Sequence, residues 1–202
     1  MKILGITGQS GAGKGLACRI FARYGIPSID TDGIYHELLL QKGAMTDELV
    51  RAFGQEILNK TGTVERVRLA QAVLGHADTD ARLHTLNTIT HKYIMAKAHE
   101  LVQSYKDTGA RAVLLDAPQL FEAGIEHECD LVLGVLANRE TRVARICARD
   151  GIDRTAAVRR INAQKNDAFF RAHCHCILEN DADEAHLESQ IRTFLKNSEL
   201  GL

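Results

Sequence analysis

The chain has 202 residues, of which 45% are hydrophobic and 25% are charged, and its formal net charge is −1. This composition is typical of a globular domain, and the near-neutral charge excludes a global basic surface for nucleic acid or an anionic membrane. No apolar run approaches the ~20 residues of a membrane span, and the opening MKILGITG is not typical of a signal peptide. The five scattered cysteines predict reduced thiols in a cytoplasmic protein, and we take a monomer as the default.

The predicted elements alternate between strand and helix at both ends of the chain. Residues 1–7 predict a buried strand, 14–24 a helix and 26–30 a second strand, whereas 33–106 contain helical patterns only. Further strands are predicted in 110–118, 129–137 and 175–180, and further helices in 138–164 and 181–197. Near-continuous apolar strands separated by helices predict a mostly parallel sheet covered on both faces, with a helical insertion.

Residues 8–15 read GQSGAGKG and lie between the first predicted strand and the first predicted helix. Glycines allow the backbone to approach an oxygen closely, the amides at a helix N-terminus bind anions, and Lys14 adds a positive charge. The segment therefore predicts a nucleotide-binding loop formed by Gly8, Ser10, Gly11, Ala12, Gly13, Lys14, Gly15 and Leu16. Gly15 stands where such loops carry a Ser or Thr whose hydroxyl binds Mg²⁺, so we expect weaker use of the metal rather than its loss.

Two sets of carboxylates follow predicted strands. The run VLLD ends in Asp116, which is the pattern of a residue that holds Mg²⁺, here through a water molecule. Asp30 and Asp32 lie two residues apart, so they point to the same side if their strand persists, and either is then placed to deprotonate a hydroxyl. A helix cap is the alternative for both residues, and the spacing leaves the two interpretations open.

Seven arginines lie between residues 139 and 160, and Arg142, Arg145 and Arg149 share one helix face. A solvated basic face is one interpretation. We favour a lid that brings guanidinium groups onto a transferring phosphate. Asn180 follows the last predicted strand, where it either meets an adenine edge or occupies an ordinary turn.

The segment HCHC at 173–176 raises the question of a metal site. Zinc usually takes its ligands from two separated pairs, so we favour a strand with two small buried thiols.

The order of these segments resembles the dephospho-CoA kinase family over almost the whole chain. The resemblance rests on ITGQSGAGKG, on IDTD after the first helix, and on GTVERVRL, LNTITHKYI, DAPQLFEAG and CDLVLGVLANRETRVARICARDG further along. The Asp-x-Asp segment combined with the later Pro-x-Leu-Phe-Glu is the specific feature. The chain departs from the family pattern at Gly15, at Lys92 and Gln119, where Pro and Leu are usual, and at Asp181.

The resemblance implies an ATP-dependent kinase of α/β class with a three-layer P-loop NTPase fold, a helical insertion and an arginine-rich lid. Its core would comprise residues 1–32, 110–137 and 175–202, its acceptor-binding insertion residues 33–109, and its lid residues 138–172. The implied reaction phosphorylates the ribose 3′-hydroxyl of dephospho-CoA, with ATP and Mg²⁺. A kinase of another small hydroxyl compound, or a degenerate nucleotide-binding module suggested by Gly15, remain the alternatives.

The resemblance also implies roles for individual residues. Asp32 would orient and deprotonate the acceptor hydroxyl, while Lys14 and Arg145 neutralise developing charge. Arg149 and Asn180 would join Arg145 in binding ATP. Arg66 and His91 match family positions near the acceptor, although a capping or core role is the stronger interpretation for His91.

Overall fold

The computed structural model describes residues 1–198 and 200. The predicted core extends to residue 202, and its residues 199, 201 and 202 lie outside the described residues. Contacts divide the chain into two compact units, one formed by Met1–Ile29 with Ser104–Leu202 and the other by Asp30–Gln103.

The first unit is built on a five-stranded sheet with the order β2-β3-β1-β4-β5. Its strands are β1 (Lys2–Gly8), β2 (Ser28–Asp30), β3 (Ala112–Asp116), β4 (Leu131–Leu136) and β5 (Cys176–Glu179). β1 pairs in parallel with β3 on one side and with β4 on the other, and β4 pairs in parallel with β5. The connections leaving β1 and β3 therefore emerge at the carboxyl edge, where the strand order reverses and where ligands bind in open α/β sheets.

One face of the sheet is covered by α1 (Lys14–Arg23) and α9 (Glu184–Asn197). The burial follows the two periodicities of the sequence, with alternate residues in the strands and every third or fourth residue in the helices. The apolar side chains that meet there include Leu4, Ile6, Leu114, Leu133, Val135, Ile20, Phe21, Leu187, Ile191 and Leu195.

Three more helices connect β4 to β5: α6 (Arg139–Asp150), α7 (Arg154–Asn162) and α8 (Asp167–His173). The sequence predicts α6 and α7 but not α8, and its prediction of a strand through 173–176 is wrong. The Asn166 side chain caps α8 by accepting a hydrogen bond from the Phe169 amide at 2.9 Å, and Phe170 is buried. Because that helix ends at His173, only Cys176 of the four residues belongs to β5.

Two half-buried thiols, those of Cys174 and Cys129, lie beside glycines of the sheet. A Cβ atom at Gly134 would lie 2.9 Å from the Cys174 sulfur, and one at Gly5 would lie 2.8 Å from the Cys129 sulfur. Burial raises the pKa of Cys174 to about 11 and that of Cys129 to about 12, so both thiols are protonated at neutral pH. Within residues 1–198 and 200, no group of three or more His, Cys, Asp or Glu side chains is arranged to hold a metal ion.

The second unit, Asp30–Gln103, contains α2 (Thr31–Leu39), α3 (Ala44–Phe53), α4 (Arg66–Val73) and most of α5 (Thr79–Asp107). The helical character predicted for this region is confirmed. The unit has its own apolar core, made of Leu39, Met45, Leu49, Phe53, Ile57, Val64, Leu69 and Val73.

None of the described helices is both long and apolar enough to cross a membrane.

Candidate active site

The loop between β1 and α1 has a backbone that only glycine adopts easily. Gly11 has φ of 78°, and Gly13, the residue that caps α1, has φ of 98°. Neither position has room for a side chain. A Cβ atom at Gly11 would lie 2.7 Å from the Arg142 carbonyl oxygen, and one at Gly13 would collide with the Asn180 side-chain amide. The loop therefore packs directly against α6 and against Asn180, the residue that follows β5.

The carbonyl groups of this loop accept hydrogen bonds from side chains that are distant in sequence. Arg142 Nε donates to the Ser10 carbonyl at 3.1 Å. Arg145 Nη1 donates to the carbonyls of Gly11 and Ala12 at 3.4 and 3.3 Å, and Asn180 Nδ2 donates to the Ala12 carbonyl at 2.7 Å. Donors from α6 and from the residue after β5 thus fix the orientation of three successive peptide groups.

The amides of the same loop fall into two groups. Ser10 N–H donates to Gln164 Oε1 at 3.0 Å, and Ala12 N–H donates to the Gln9 carbonyl at 3.0 Å. In the described part of the chain, the amides of Gly11, Gly13 and Lys14 donate to no protein acceptor. Amides gathered at a helix N-terminus without protein acceptors are an anion site, which is the arrangement that a phosphate group requires.

Lys14 forms an ion pair with Asp116, which is the last residue of β3 and only 9% exposed. The register of the sheet explains the pairing, because Asp116 stands opposite Ile6 of β1 and the loop begins two residues later. The Cys18 thiol, one helical turn beyond Lys14, donates to the other carboxylate oxygen of Asp116 at 3.5 Å. A carboxylate and an ammonium group therefore lie together at the carboxyl edge of the sheet.

Gly15 is exposed, and a Cβ atom there would have only Arg19 Nη1 within 4 Å, at 3.9 Å. The position that usually supplies a hydroxyl ligand is thus open rather than filled by another side chain.

The arginine face of α6 is not a solvated basic face. Arg142 is only 3% exposed, and the contacts of Arg145 are with the loop and with the Asn180 carbonyl, the latter at 3.1 Å. Arg149 is more peripheral, since its Nη2 lies 3.5 Å from Ser10 Oγ while its guanidinium pairs with Asp150. The structure brings these arginines together with the predicted nucleotide-binding loop.

Arg142 and Gln164 both contact the loop directly, and the sequence assigned neither of them an individual role. Arg142 was predicted only as a member of the arginine face, because its helical spacing groups it with Arg145 and Arg149. Gln164 lies between α7 and α8, at a position where the family resemblance also places a glutamine.

Asn180 makes contacts within the protein that the sequence did not predict. Its backbone amide donates to the Leu136 carbonyl at 2.8 Å, its side chain donates to the Ala12 carbonyl, and the residue is 2% exposed. Asn180 thus connects the loop to the ends of β4 and β5 through hydrogen bonds. Its predicted contact with adenine stays a prediction.

The two carboxylates of IDTD have different structural positions. β2 ends at Asp30, whose side chain caps α2 by accepting a hydrogen bond from the Asp32 amide at 3.0 Å. The cap interpretation is therefore correct for Asp30. Asp32 lies in the first turn of α2, so the strand does not persist through both residues.

The two predicted acceptor residues both lie in the unit Asp30–Gln103. Arg66 is the exposed first residue of α4. Burial raises the pKa of Tyr35, and the nearby charge of Arg66 partly opposes that rise. His91 is half-buried in α5, and burial lowers the pKa of its imidazole, which is therefore neutral at pH 7.

Residues 2–186 match the model of the dephospho-CoA kinase family. The chain belongs to this family. A dephospho-CoA kinase from Dehalococcoides mccartyi is 33% identical over 196 residues, which are 97% of each chain. One from Latilactobacillus sakei is 31% identical over 96% of this chain and 94% of its own length.

The fold agrees with this membership. The crystal structure of TT1252 from Thermus thermophilus superposes with a TM-score of 0.81 at 29% identity, over 96% of both chains. The predicted family and the predicted fold class, an α/β P-loop NTPase fold, are confirmed. Membership of a kinase family with a phosphate-binding loop implies the use of ATP and a small-molecule substrate.

Proposed function

We propose that the chain transfers the γ-phosphoryl group of ATP to the ribose 3′-hydroxyl of dephospho-CoA, giving coenzyme A and ADP as the last step of coenzyme A synthesis. The observation that carries this proposal is the pairing of an open amide loop with Lys14 and Asp116 in a chain that matches the dephospho-CoA kinase family over residues 2–186. Its curated relatives bear the name of that activity.

The unit of Met1–Ile29 and Ser104–Leu202 holds ATP. The amides of Gly11, Gly13 and Lys14 bind phosphate oxygens, and Lys14 gains a second anionic partner when the triphosphate is present. Arg145 Nη1 lies within 3.4 Å of the loop carbonyls, which supports a role for its positive charge in stabilising the transferring phosphoryl group. Arg149 stands at the rim of the same loop, beside Ser10.

Asp116 would hold Mg²⁺ through a water molecule. A carboxylate oxygen is the ligand type that Mg²⁺ prefers, and the ion commonly binds through one or two carboxylates while it keeps several waters. Mg²⁺ supplies neutralisation of charge on the β- and γ-phosphate oxygens when it is bound. Because Gly15 offers no hydroxyl, Asp116, water and phosphate would have to provide the ligands of the ion.

The unit Asp30–Gln103 holds dephospho-CoA. Asp32, in the first turn of α2, accepts the proton of the 3′-hydroxyl while that oxygen attacks the γ-phosphorus and the bond to the bridging oxygen of ADP breaks. Arg66 supplies an exposed positive charge for an acceptor phosphate, and neutral His91 supplies a hydrogen bond.

We also place the enzyme in the cytoplasm. The support is that, within the described residues, none of the five cysteines forms a disulfide.

The test is an assay of ADP release by the purified chain with ATP, Mg²⁺ and dephospho-CoA, run beside Asp32→Asn and the matched control Asp30→Asn. Asparagine also caps helices, so Asp30→Asn is expected to keep the wild-type rate. Asp32→Asn is expected to lower kcat by about 10²- to 10⁴-fold, which is the range for loss of a general base. ³¹P NMR of the product identifies a 3′-phosphate.

Acceptor screening with adenosine, AMP and shikimate distinguishes this proposal from its alternatives. Turnover with another hydroxyl compound but not with dephospho-CoA contradicts the proposed substrate. Gly15→Ser, which restores a hydroxyl where there is space for one, is expected to lower the Mg²⁺ concentration needed for half-maximal rate several-fold. Activity that appears only in Gly15→Ser would make the natural chain a nucleotide binder without chemistry.

A further inference from the structure

The phosphate loop is held at Ser10 by a closed ring of hydrogen bonds. Ser10 N–H donates to Gln164 Oε1 at 3.0 Å, and the Ser10 carbonyl accepts from Arg142 Nε at 3.1 Å. Arg142 Nη2 completes the ring by donating to the same oxygen of Gln164 at 3.2 Å. Both hydrogen-bonding groups of the Ser10 backbone are thus occupied by side chains from the α6–α8 region.

Arg142 is buried to a degree that is unusual for a charged residue. It is 3% exposed, and burial lowers the pKa of its guanidinium, although arginine remains charged at neutral pH. Its direct partners are two neutral oxygens, and the charge of Asp167 acts on it from nearby. A guanidinium kept in this position holds a peptide group of the loop and also adds positive potential beside the phosphate site.

The hydrogen bonds of the ring determine which loop amides remain available to donate to a ligand. Gln164 occupies the Ser10 amide, and the neighbouring Gly11 amide donates to no acceptor in the described part of the chain. The backbone of α6 lies directly against the loop, because a Cβ atom at Gly11 would be 2.7 Å from the Arg142 carbonyl. Side-chain donors and helix backbone together hold Ser10 and Gly11 in one orientation.

We infer that Arg142 and Gln164 are positioning residues, which orient the Ser10–Gly11 segment so that the remaining loop amides bind nucleotide phosphates. This inference rests on the proposed function in one respect, the binding of ATP by the loop. Because the ring engages only the backbone of Ser10, the serine side chain is not required for it. Breaking the ring is therefore expected to lower the affinity for phosphate groups and to leave the binding of the acceptor unchanged.

The experiment measures binding of ADP and of inorganic tripolyphosphate to the purified chain by calorimetry. The key variant is Gln164→Met, which keeps the length of the side chain and removes the shared acceptor; Gln164 is exposed as a residue, so the variant is expected to fold. Its affinity for both probes is expected to fall about tenfold, with a similar rise in KM for ATP and an unchanged KM for dephospho-CoA.

Two further variants separate positioning from general stability. Arg154→Met removes an arginine of α7 whose partner is Glu140 on the surface, and it is expected to bind both probes like wild type. Arg142→Met is expected to weaken both probes as Gln164→Met does, and the double variant is expected to lose little more than either single one, because the ring is one unit. If Arg142→Met fails to fold, Gln164→Met alone decides the outcome.

The inference is overturned if folded Gln164→Met binds tripolyphosphate as tightly as wild type, or if it lowers Tm without raising KM for ATP. It is also overturned if the wild-type chain binds neither probe. Failure of the proposed function has a different signature. Weakened tripolyphosphate binding in Gln164→Met, with no turnover of dephospho-CoA by wild type, supports the ring and contradicts the proposed substrate.

Discussion

The phosphate loop and the helical unit Asp30–Gln103 are stabilised in different ways. The peptide groups of the loop are held by side chains that lie 132 to 168 residues away along the chain. The helical unit has an apolar core of its own, and its prominent polar contact joins Lys92 and Tyr93 of α5 to Glu48 of α3 at 2.7 Å. Hydrogen bonds therefore fix the backbone conformation of the loop, whereas apolar packing stabilises the helical unit as a whole.

This comparison gives the loop and the helical unit different sensitivities to substitution. A change in the hydrogen bonds of the loop is expected to alter ligand binding more than stability, because each of these bonds contributes little net stability. A change at the surface of the helical unit alters stability slightly and leaves nucleotide binding intact. Three substitutions, ordered by the size of the expected effect, test this difference.

Gly11→Ala is expected to have the largest effect. The new methyl group meets the Arg142 carbonyl, so the loop has to move, and we expect ATP affinity to fall about 100-fold. Gly25→Ala is the matched control, since Gly25 has a φ of 74° against 78° at Gly11 and nothing within 4 Å of its Cβ position. Both variants carry the cost of a left-handed residue, about 1–2 kcal/mol. Calorimetry and thermal unfolding measure the two effects separately.

Equal ATP affinity in Gly11→Ala and Gly25→Ala would contradict the close approach of α6 to the loop. The expected result is a similar fall in Tm for both variants and a fall in ATP affinity for Gly11→Ala only.

Asn180→Ala is expected to weaken ATP binding about five- to tenfold, because it removes one hydrogen bond to the Ala12 carbonyl. If Asn180 acts through the loop, affinity for inorganic tripolyphosphate falls by the same factor and the preference for ATP over GTP is unchanged. A contact with the adenine edge gives the opposite result, with altered nucleotide preference and normal tripolyphosphate binding. Titrations with the three ligands decide between the two roles.

Glu48→Gln is expected to have the smallest effect. The hydrogen bonds from Lys92 and then Tyr93 hold the pKa of Glu48 below its ordinary 4.5 in the folded chain. A lowered folded pKa means that the contribution to stability is complete above pH 4.5 and is lost as pH falls through the folded pKa. Tm at pH 7 should therefore fall by no more than about 2 °C, and the difference should vanish in acid.

Glu100→Gln serves as the control for that measurement, because Glu100 pairs with Lys97 one turn away on the same exposed helix face. It is expected to leave Tm unchanged at both pH values. A change of ATP affinity in Glu48→Gln would be evidence against the separate sensitivities of the two regions.

The features that depend on consecutive residues could be predicted from the amino-acid sequence. The loop of residues 8–15 was predictable because its glycines, its lysine and the following helix act within one short segment. The alternation of apolar strands with amphipathic helices was predictable for the same reason, since the periods of 2 and 3.6 are local. The family resemblance added the order of these segments, and the comparison with known relatives confirmed it.

The side chains that complete the loop come from distant parts of the sequence and could be identified only in the folded chain. Arg142, Gln164 and Asn180 reach it across 132, 154 and 168 residues, and no local period connects them to Ser10 and Ala12. The structure also decided that β2 stops at Asp30, because that carboxylate caps α2 instead of continuing the strand. It revealed α8, a helix of seven residues that is too short for a clear apolar period. Contacts of this kind depend on where the sheet brings its carboxyl ends, and that placement exists only in the folded chain.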